Sequence, residues 1–144
     1  MLRETGVFTQ DEISVAGEVI DVALAHEQTN DYIIYTGVEA GTNSIAGYYC
    51  VGPTPLTSGT FDLYWIAVGH SLHNKGVGRR LLLHAEALVA SLGGRLLIAE
   101  TSSKPSYDNT RRFYVRNDYL EVARIKDYYC IGDDLVVYGK YLSQ

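Results

Sequence analysis

Cysteine, positive charge and long apolar runs are all scarce in this chain, and each scarcity excludes a class of protein. Only Cys50 and Cys130 are present. They lie too far apart for metal-ligand spacing, and two cysteines do not make a disulfide framework. Reduced, buried thiols are the expectation, because nothing in the sequence suggests an oxidising compartment. No apolar stretch approaches the roughly 20 residues of a membrane span. The opening "MLRETGVFTQDE" has no apolar signal-peptide core, so a cytoplasmic protein without membrane partners is expected. Lys and Arg number 12 against 17 Asp and Glu, a net charge of −5. An extended nucleic-acid footprint needs a basic face to neutralise phosphates, and this chain has none to offer. Local cationic pockets are not excluded. Lys75, Arg79 and Arg80 form one cluster and Arg111, Arg112 and Arg116 another, although either also reads as a solvated helix face.

The chain is otherwise ordinary in size and composition, with 144 residues of which 47% are hydrophobic. Residues 1–144 are read as a single domain, long enough to bury a core without staples. Tyrosine is abundant, at 12 residues. Many fall in pairs or at alternate positions within apolar runs, which suits strands with one buried face or the rim of a pocket.

Thr9 and Glu12 make a capping-box pair, and Ile13, Ala16, Ile20, Ala23 and Leu24 follow at helical spacing, predicting a helix over 10–26. Two β-rich runs, 32–39 and 45–52, flank the turn cluster "AGTN". After "GPTPLTSG" comes a third run, 60–68, completing an antiparallel meander. The period then changes. Val77, Leu81, Leu82, Ala85, Leu88, Val89 and Leu92 fall on one helical face, and Gly93–Gly94 ends it. His84 and Glu86 are placed on the polar side of that helix. "RLLIAET", 95–101, is a short apolar strand. A strand–helix–strand unit of this length predicts a parallel pair. A short helix over "TRRFYVRN" precedes two closing strands, with Tyr128, Tyr129, Asp133 and Asp134 in coil between them. The final strand, 134–142, is read as an edge open to pairing with a second copy, which would make a homodimer.

The stretch "HNKGVG", 73–78, opens the long helix directly after a strand. The first backbone N–H groups of a helix lack partners and the dipole there is positive, so an anion can be bound by main chain. Gly76 and Gly78 would let it approach, and Lys75 and Arg79 would add charge. A glycine pair in a tight turn is also often only a turn. The dinucleotide fingerprint fails because Leu81 stands where a third glycine is needed, and no P-loop string exists.

The order of elements, with "YWIAV" (64–68), "HNKGVG" (73–78) and "TRRFYVRNDY" (110–119), resembles the GNAT family of acetyltransferases. The likeness runs from about residue 31 onward. His73 stands in the Gln/Arg place of the family's [QR]-x-x-G-x-[GA] loop, and Asp118 where a glycine is usual. The resemblance implies an α/β (α+β) fold. Its mixed, mostly antiparallel sheet would hold a splayed parallel pair flanked by helices. The family's first strand has almost no chain to form it before residue 9.

The implied function is transfer of an acetyl group from acetyl-CoA to a primary amine of a small molecule, amino acid or peptide, by direct attack in a ternary complex. A catalytically silent coenzyme A-binding or sensing module is the alternative. Cofactor contacts would come from His73, Asn74, Lys75, Gly76, Val77, Gly78 and Arg79 around the pyrophosphate. Ile66, Ala67 and Val68 would contact the pantetheine arm, with Tyr107 near it. The Val68 N–H would serve as oxyanion donor. Tyr114 matches the family's general acid, though it also reads as a core tyrosine, and Glu100 would be the base, directly or through water. Glu100 also reads as a cap or salt-bridge residue. No metal is implied: His70 and His73 have no ligand spacing.

Overall fold

The alternating runs become strands because one face of each can be buried. The structure, a computed structural model, describes residues 31–41 and 44–143. The helix expected over 10–26, and the question of a first strand before it, lie outside the described residues. β1 (Ile33–Val38), β2 (Ile45–Pro53) and β3 (Thr60–Val68) form the antiparallel meander. Pro53, which cannot donate to a ladder, is the last residue of β2. A 3₁₀ turn (His70–Leu72) and the glycine loop lead into α1 (Val77–Ser91). β4 (Leu96–Ser102) returns parallel to β3. A second 3₁₀ turn (Pro105–Tyr107) and α2 (Asp108–Arg116) follow, then β5 (Leu120–Cys130) and β6 (Asp133–Tyr141).

These strands make one six-stranded sheet in the order β1-β2-β3-β4-β6-β5. The core lies between the sheet and α1, where Tyr49, Val51, Leu63, Leu82, Ala85, Val89, Leu97 and Val136 pack together. Leu82, Ala85 and Val89 are the predicted stripe, and each is wholly excluded from solvent.

Four expectations need correction. The strand expected at the edge is interior: β6 pairs with β4 on one side and β5 on the other, so β5 is the edge. Every residue of β5 is exposed. Its charges at Glu121, Arg124 and Lys126 suit an edge, whereas the run Leu135-Val136-Val137 suits a central strand. Tyr128 and Tyr129 are not in coil but in β5, and Asp133 and Asp134 are in β6. Asp127 takes a left-handed conformation (φ 55°), its carboxylate accepts the Gly132 N–H at 2.8 Å, and its own N–H donates to Asp134 Oδ1 at 3.0 Å. This polar bulge lets pairing resume as far as Cys130–Asp133. Both cysteines are free, but only Cys50 is buried; Cys130 is exposed. Burial pushes the Cys50 thiol pKa up to about 12, so it behaves as a small core hydrophobe.

Finally, Glu86 is not on a solvated face. It is 9% exposed, accepts the Tyr119 hydroxyl proton at 2.9 Å, and pairs with the Lys140 ammonium at 3.0 Å. It sits four residues after Leu82 and three before Val89, which places it on the buried stripe. His84 is exposed, yet its Nδ1 lies 2.7 Å from the hydroxyl of the buried Tyr49.

Candidate active site

The site begins with a parting of strands. β3 and β4 pair only over Thr60–Leu96, Phe61–Leu97 and Asp62–Ile98. Beyond Asp62 they separate. The cause is local to β3: Cys50 pairs with Trp65 and Val51 with Leu63, leaving Tyr64 as an extra residue. Such a bulge bends its strand and disrupts the ladder.

Backbone direction then follows from one bond. The Gly69 N–H donates to the Ala46 carbonyl at 2.8 Å. Hydrogen-bonding direction alternates along a strand, so Ala67 also turns its backbone groups toward β2. Ile66 and Val68 turn theirs toward the gap. All three residues were expected to contact the pantetheine arm; alternation turns only Ile66 and Val68 to the gap, and Ala67 is a core side chain at 2% exposure.

A cleft of about 360 Å³ occupies the parting. Tyr64, Trp65 and Ile66 form one wall, and Glu100, Thr101 and Ser102 the other. Tyr107, Thr110 and Tyr114 line it from the α2 side, and Tyr129 and Asp133 from the final hairpin. The structure thus brings together Ile66, Glu100, Tyr107 and Tyr114 as expected. It also brings in Asp133, an acidic residue expected from the sequence as a candidate to attract a cation, and it adds Ser102, which sequence reasoning missed. The Ser102 hydroxyl donates to Asp133, and the Lys104 N–H donates to Ser102 Oγ at 3.1 Å. Ser102 lies two residues after Glu100, on the same strand face. That spacing was the available signal.

Glu100 is exposed and makes no ion pair among the described residues, so its carboxylate is available to a ligand. Tyr114 is the opposite case. It is 5% exposed, its ring stacks on Tyr138 at 5.7 Å and meets Tyr119 and Phe113 edge-on at 5.5 Å. Burial raises its pKa well above the ordinary phenol value. The left-handed Asp118 (φ 70°) ends α2 and returns the chain so that the Tyr119 N–H donates to the Tyr114 carbonyl at 3.0 Å. Arg111 is structural: it donates to the carbonyls of Ser102 and Lys104 at 2.5 and 3.0 Å and pairs with Asp108. It ties α2 to the end of β4.

The glycine loop lies at the far end of β3. Asn74 (φ 62°) and Gly76 (φ 79°) are both left-handed, and Gly76 caps α1. A Cβ on Gly76 would meet no described atom within 4 Å, so the space beside this capping residue is open. Gly78 has a different reason. A Cβ there would come 3.2 Å from Phe113 Cε1 and 3.6 Å from Val68 Cγ2. It lets Phe113 lie against the helix, so Gly78→Val would disturb packing as well as any ligand. Lys75 and Arg79 are exposed and unpaired among the described residues, as a charge-receiving pair would be. His73 turns its ring back to the Val68 carbonyl, with Nε2 at 3.0 Å.

No cluster of His, Cys, Asp and Glu that could hold a metal ion occurs among the described residues. Nor is any described helix long and apolar enough to cross a membrane.

A bulged strand parting from a parallel neighbour, with a glycine-opened helix at one end and a polar cleft in the gap, is the framework of an acyl-transfer fold. The chain belongs to the GNAT family of acetyltransferases: residues 8–119 match the model of the Acetyltransferase (GNAT) family. The solved structure of a protein assigned to the GNAT family from Desulfovibrio desulfuricans is 42% identical, with a TM-score of 0.92, over 99% of this chain and 88% of that one. Two more distant structures share the fold. Aminoglycoside 6'-acetyltransferase type Ii is 18% identical, with a TM-score of 0.77 over 99% of this chain and 86% of that one. An aminoglycoside 6'-N-acetyltransferase complexed with coenzyme A is 16% identical, with a TM-score of 0.70 over 95% and 96%. No curated protein matches the chain.

Proposed function

We propose that this chain moves the acetyl group of acetyl-CoA to a primary amine of a small molecule or peptide, by direct attack within a ternary complex. The observation that carries the reading is the continuity of the site. The glycine loop, the inward-turned backbone of Ile66 and Val68, and the cleft holding Glu100 and Tyr114 follow one another along β3. The residues suit coenzyme A. The open space at Gly76, the start of α1 and the free cations Lys75 and Arg79 suit a pyrophosphate. The backbone of Ile66 can pair with amides as an added strand would, while the Val68 carbonyl is already bonded to His73 and leaves only its N–H for the ligand.

The thioester supplies the activated acyl group. The chain's own parts divide the remaining work. Glu100 takes the proton of the attacking amine, directly or through water. The Val68 N–H donates to the oxygen on which charge develops. Tyr114 gives a proton to the departing sulfur. The exposed Glu100, with Asp133 also lining the cleft, favours a cationic acceptor, and the neighbouring fold members named for aminoglycosides make polar amines the first to try.

The test is thiol release from acetyl-CoA across a panel of amines, peptides and aminoglycosides, beside calorimetry with coenzyme A. Amine-dependent release is expected. Tight binding with no release on any amine would instead favour a silent module.

Three variants follow. Lys75→Ala and Arg79→Ala should each weaken coenzyme A by about 1 kcal/mol, roughly fivefold, without lowering the melting temperature. Among the described residues neither side chain has a structural partner to lose. Pantetheine, which lacks the pyrophosphate, should bind both variants like wild type; equal losses for both ligands would remove the assignment. Glu100→Gln should depress the rate most at low pH, where an ammonium acceptor needs help losing its proton. An acidic limb of the pH–rate profile left untouched by the substitution would assign the base elsewhere.

A further inference from the structure

His73 occupies the first position of the glycine loop, yet its side chain does not point along that loop. Its Nε2 lies 3.0 Å from the carbonyl oxygen of Val68. A carbonyl only accepts, so Nε2 carries the proton and donates it. Among the described residues the carbonyl concerned has no strand partner. It belongs to the peptide unit whose N–H, that of Gly69, is bonded to Ala46 at 2.8 Å. The two ends of a trans peptide point oppositely. The Val68 carbonyl therefore faces the gap, where β4 has already departed after Asp62–Ile98.

His73 thus fills a vacancy that the splay creates. The unit is pinned from both sides, by Ala46 on the sheet and by His73 from the loop. Further bonds make the connection short: the His73 N–H reaches the His70 carbonyl at 3.3 Å and the Leu72 N–H the Gly69 carbonyl at 2.9 Å. Immediately after His73 come the left-handed Asn74 and Gly76 that set the start of α1.

We infer that His73 is a positioning residue that locks the glycine loop onto the end of β3 and so fixes the spacing between the pyrophosphate cradle and the Val68 N–H. The inference rests on the coenzyme A reading given above. A ligand that touches both the loop and the strand needs those two parts held in register before it arrives. Ordering them at binding costs affinity. The donor, not the imidazole ring as such, is what the site requires. A glutamine amide can supply an N–H from the same position, whereas alanine leaves the Val68 carbonyl unpaired and the loop tied only by backbone.

Calorimetric titration with coenzyme A of wild type, His73→Ala and His73→Gln tests this, with amide exchange at Gly69 as a local readout. His73→Ala should bind about five- to tenfold more weakly, the loss expected from one such hydrogen bond. Its Gly69 amide should exchange faster. His73→Gln should bind within about twofold of wild type and keep Gly69 protected. His73→Ala binding like wild type would overturn the inference. So would His73→Gln as weak as His73→Ala, because a donor would then not suffice. Wild type that fails to bind coenzyme A would overturn the cofactor reading itself, a result told apart by the first titration.

Discussion

Tyr114→Phe is expected to lower kcat by about 10²-fold and to leave coenzyme A affinity nearly unchanged. The ring is retained, and with it the contacts to Tyr138, Tyr119 and Phe113 that hold it. What is lost is a proton donor beside the cleft. Its burial raises the phenol pKa, so the hydroxyl keeps its proton through neutral and mildly alkaline pH. No basic limb arising from Tyr114 should therefore appear below about pH 10, the unperturbed phenol value. A positioned general acid contributes ~10²–10⁴-fold. An alkyl thiolate can leave partly unprotonated, which places the loss at the low end. Because the proton moves only as the thiol departs, the effect should fall on kcat and not on binding. A Phe variant with wild-type kcat, under conditions where chemistry limits the rate, would make Tyr114 a packing residue alone.

Much of this framework was legible because it rests on local periods. The 60–68 strand matches β3, and the stripe from Val77 to Val89 matches the buried face of α1. The glycine loop was legible as a helix start. What escaped was whatever depends on a distant partner. Glu86 read as solvated because Lys140 and Tyr119, which neutralise it, are far along the chain. The order of β5 and β6 escaped because each reads simply as a closing strand. Only the contrast between a charged strand and one with three consecutive apolar residues separates edge from centre. Gly78 was assigned to a ligand although its space is taken by Phe113, a side chain no local pattern brings there. His73 matched a loop pattern, but nothing in the pattern says that its ring turns back to Val68. The bulge at Tyr64, which opens the cleft, leaves no mark in the alternation of "FDLYWIAV" beyond an extra aromatic residue.

The buried charge on α1 yields the largest expected stability effect. Lys140→Met removes the ammonium that lies 3.0 Å from Glu86 Oε1 and 3.2 Å from the Asn117 carbonyl. Among the described residues the Glu86 carboxylate, on a side chain only 11% exposed, then keeps just the Tyr119 hydroxyl. Breaking a fully buried pair by deleting one partner costs about 3–5 kcal/mol. The Lys140 side chain is 23% exposed, so solvent relieves part of that penalty. A loss of about 2–3 kcal/mol is expected in urea unfolding, or roughly 5–10 °C in melting temperature for a chain of this size. The double variant Glu86→Leu with Lys140→Met should recover a substantial part of it, because an apolar pair carries no uncompensated charge. Tyr119 then loses its acceptor, which keeps recovery incomplete. Lys140→Met within 0.5 kcal/mol of wild type, a margin ordinary for surface substitutions, would show that water screens the pair. A double variant no more stable than Lys140→Met alone would show that shape, not charge, governs this end of the core. Because Tyr119 packs edge-on against Tyr114, Lys140→Met should also lower the transfer rate, and the double variant should restore rate and stability together.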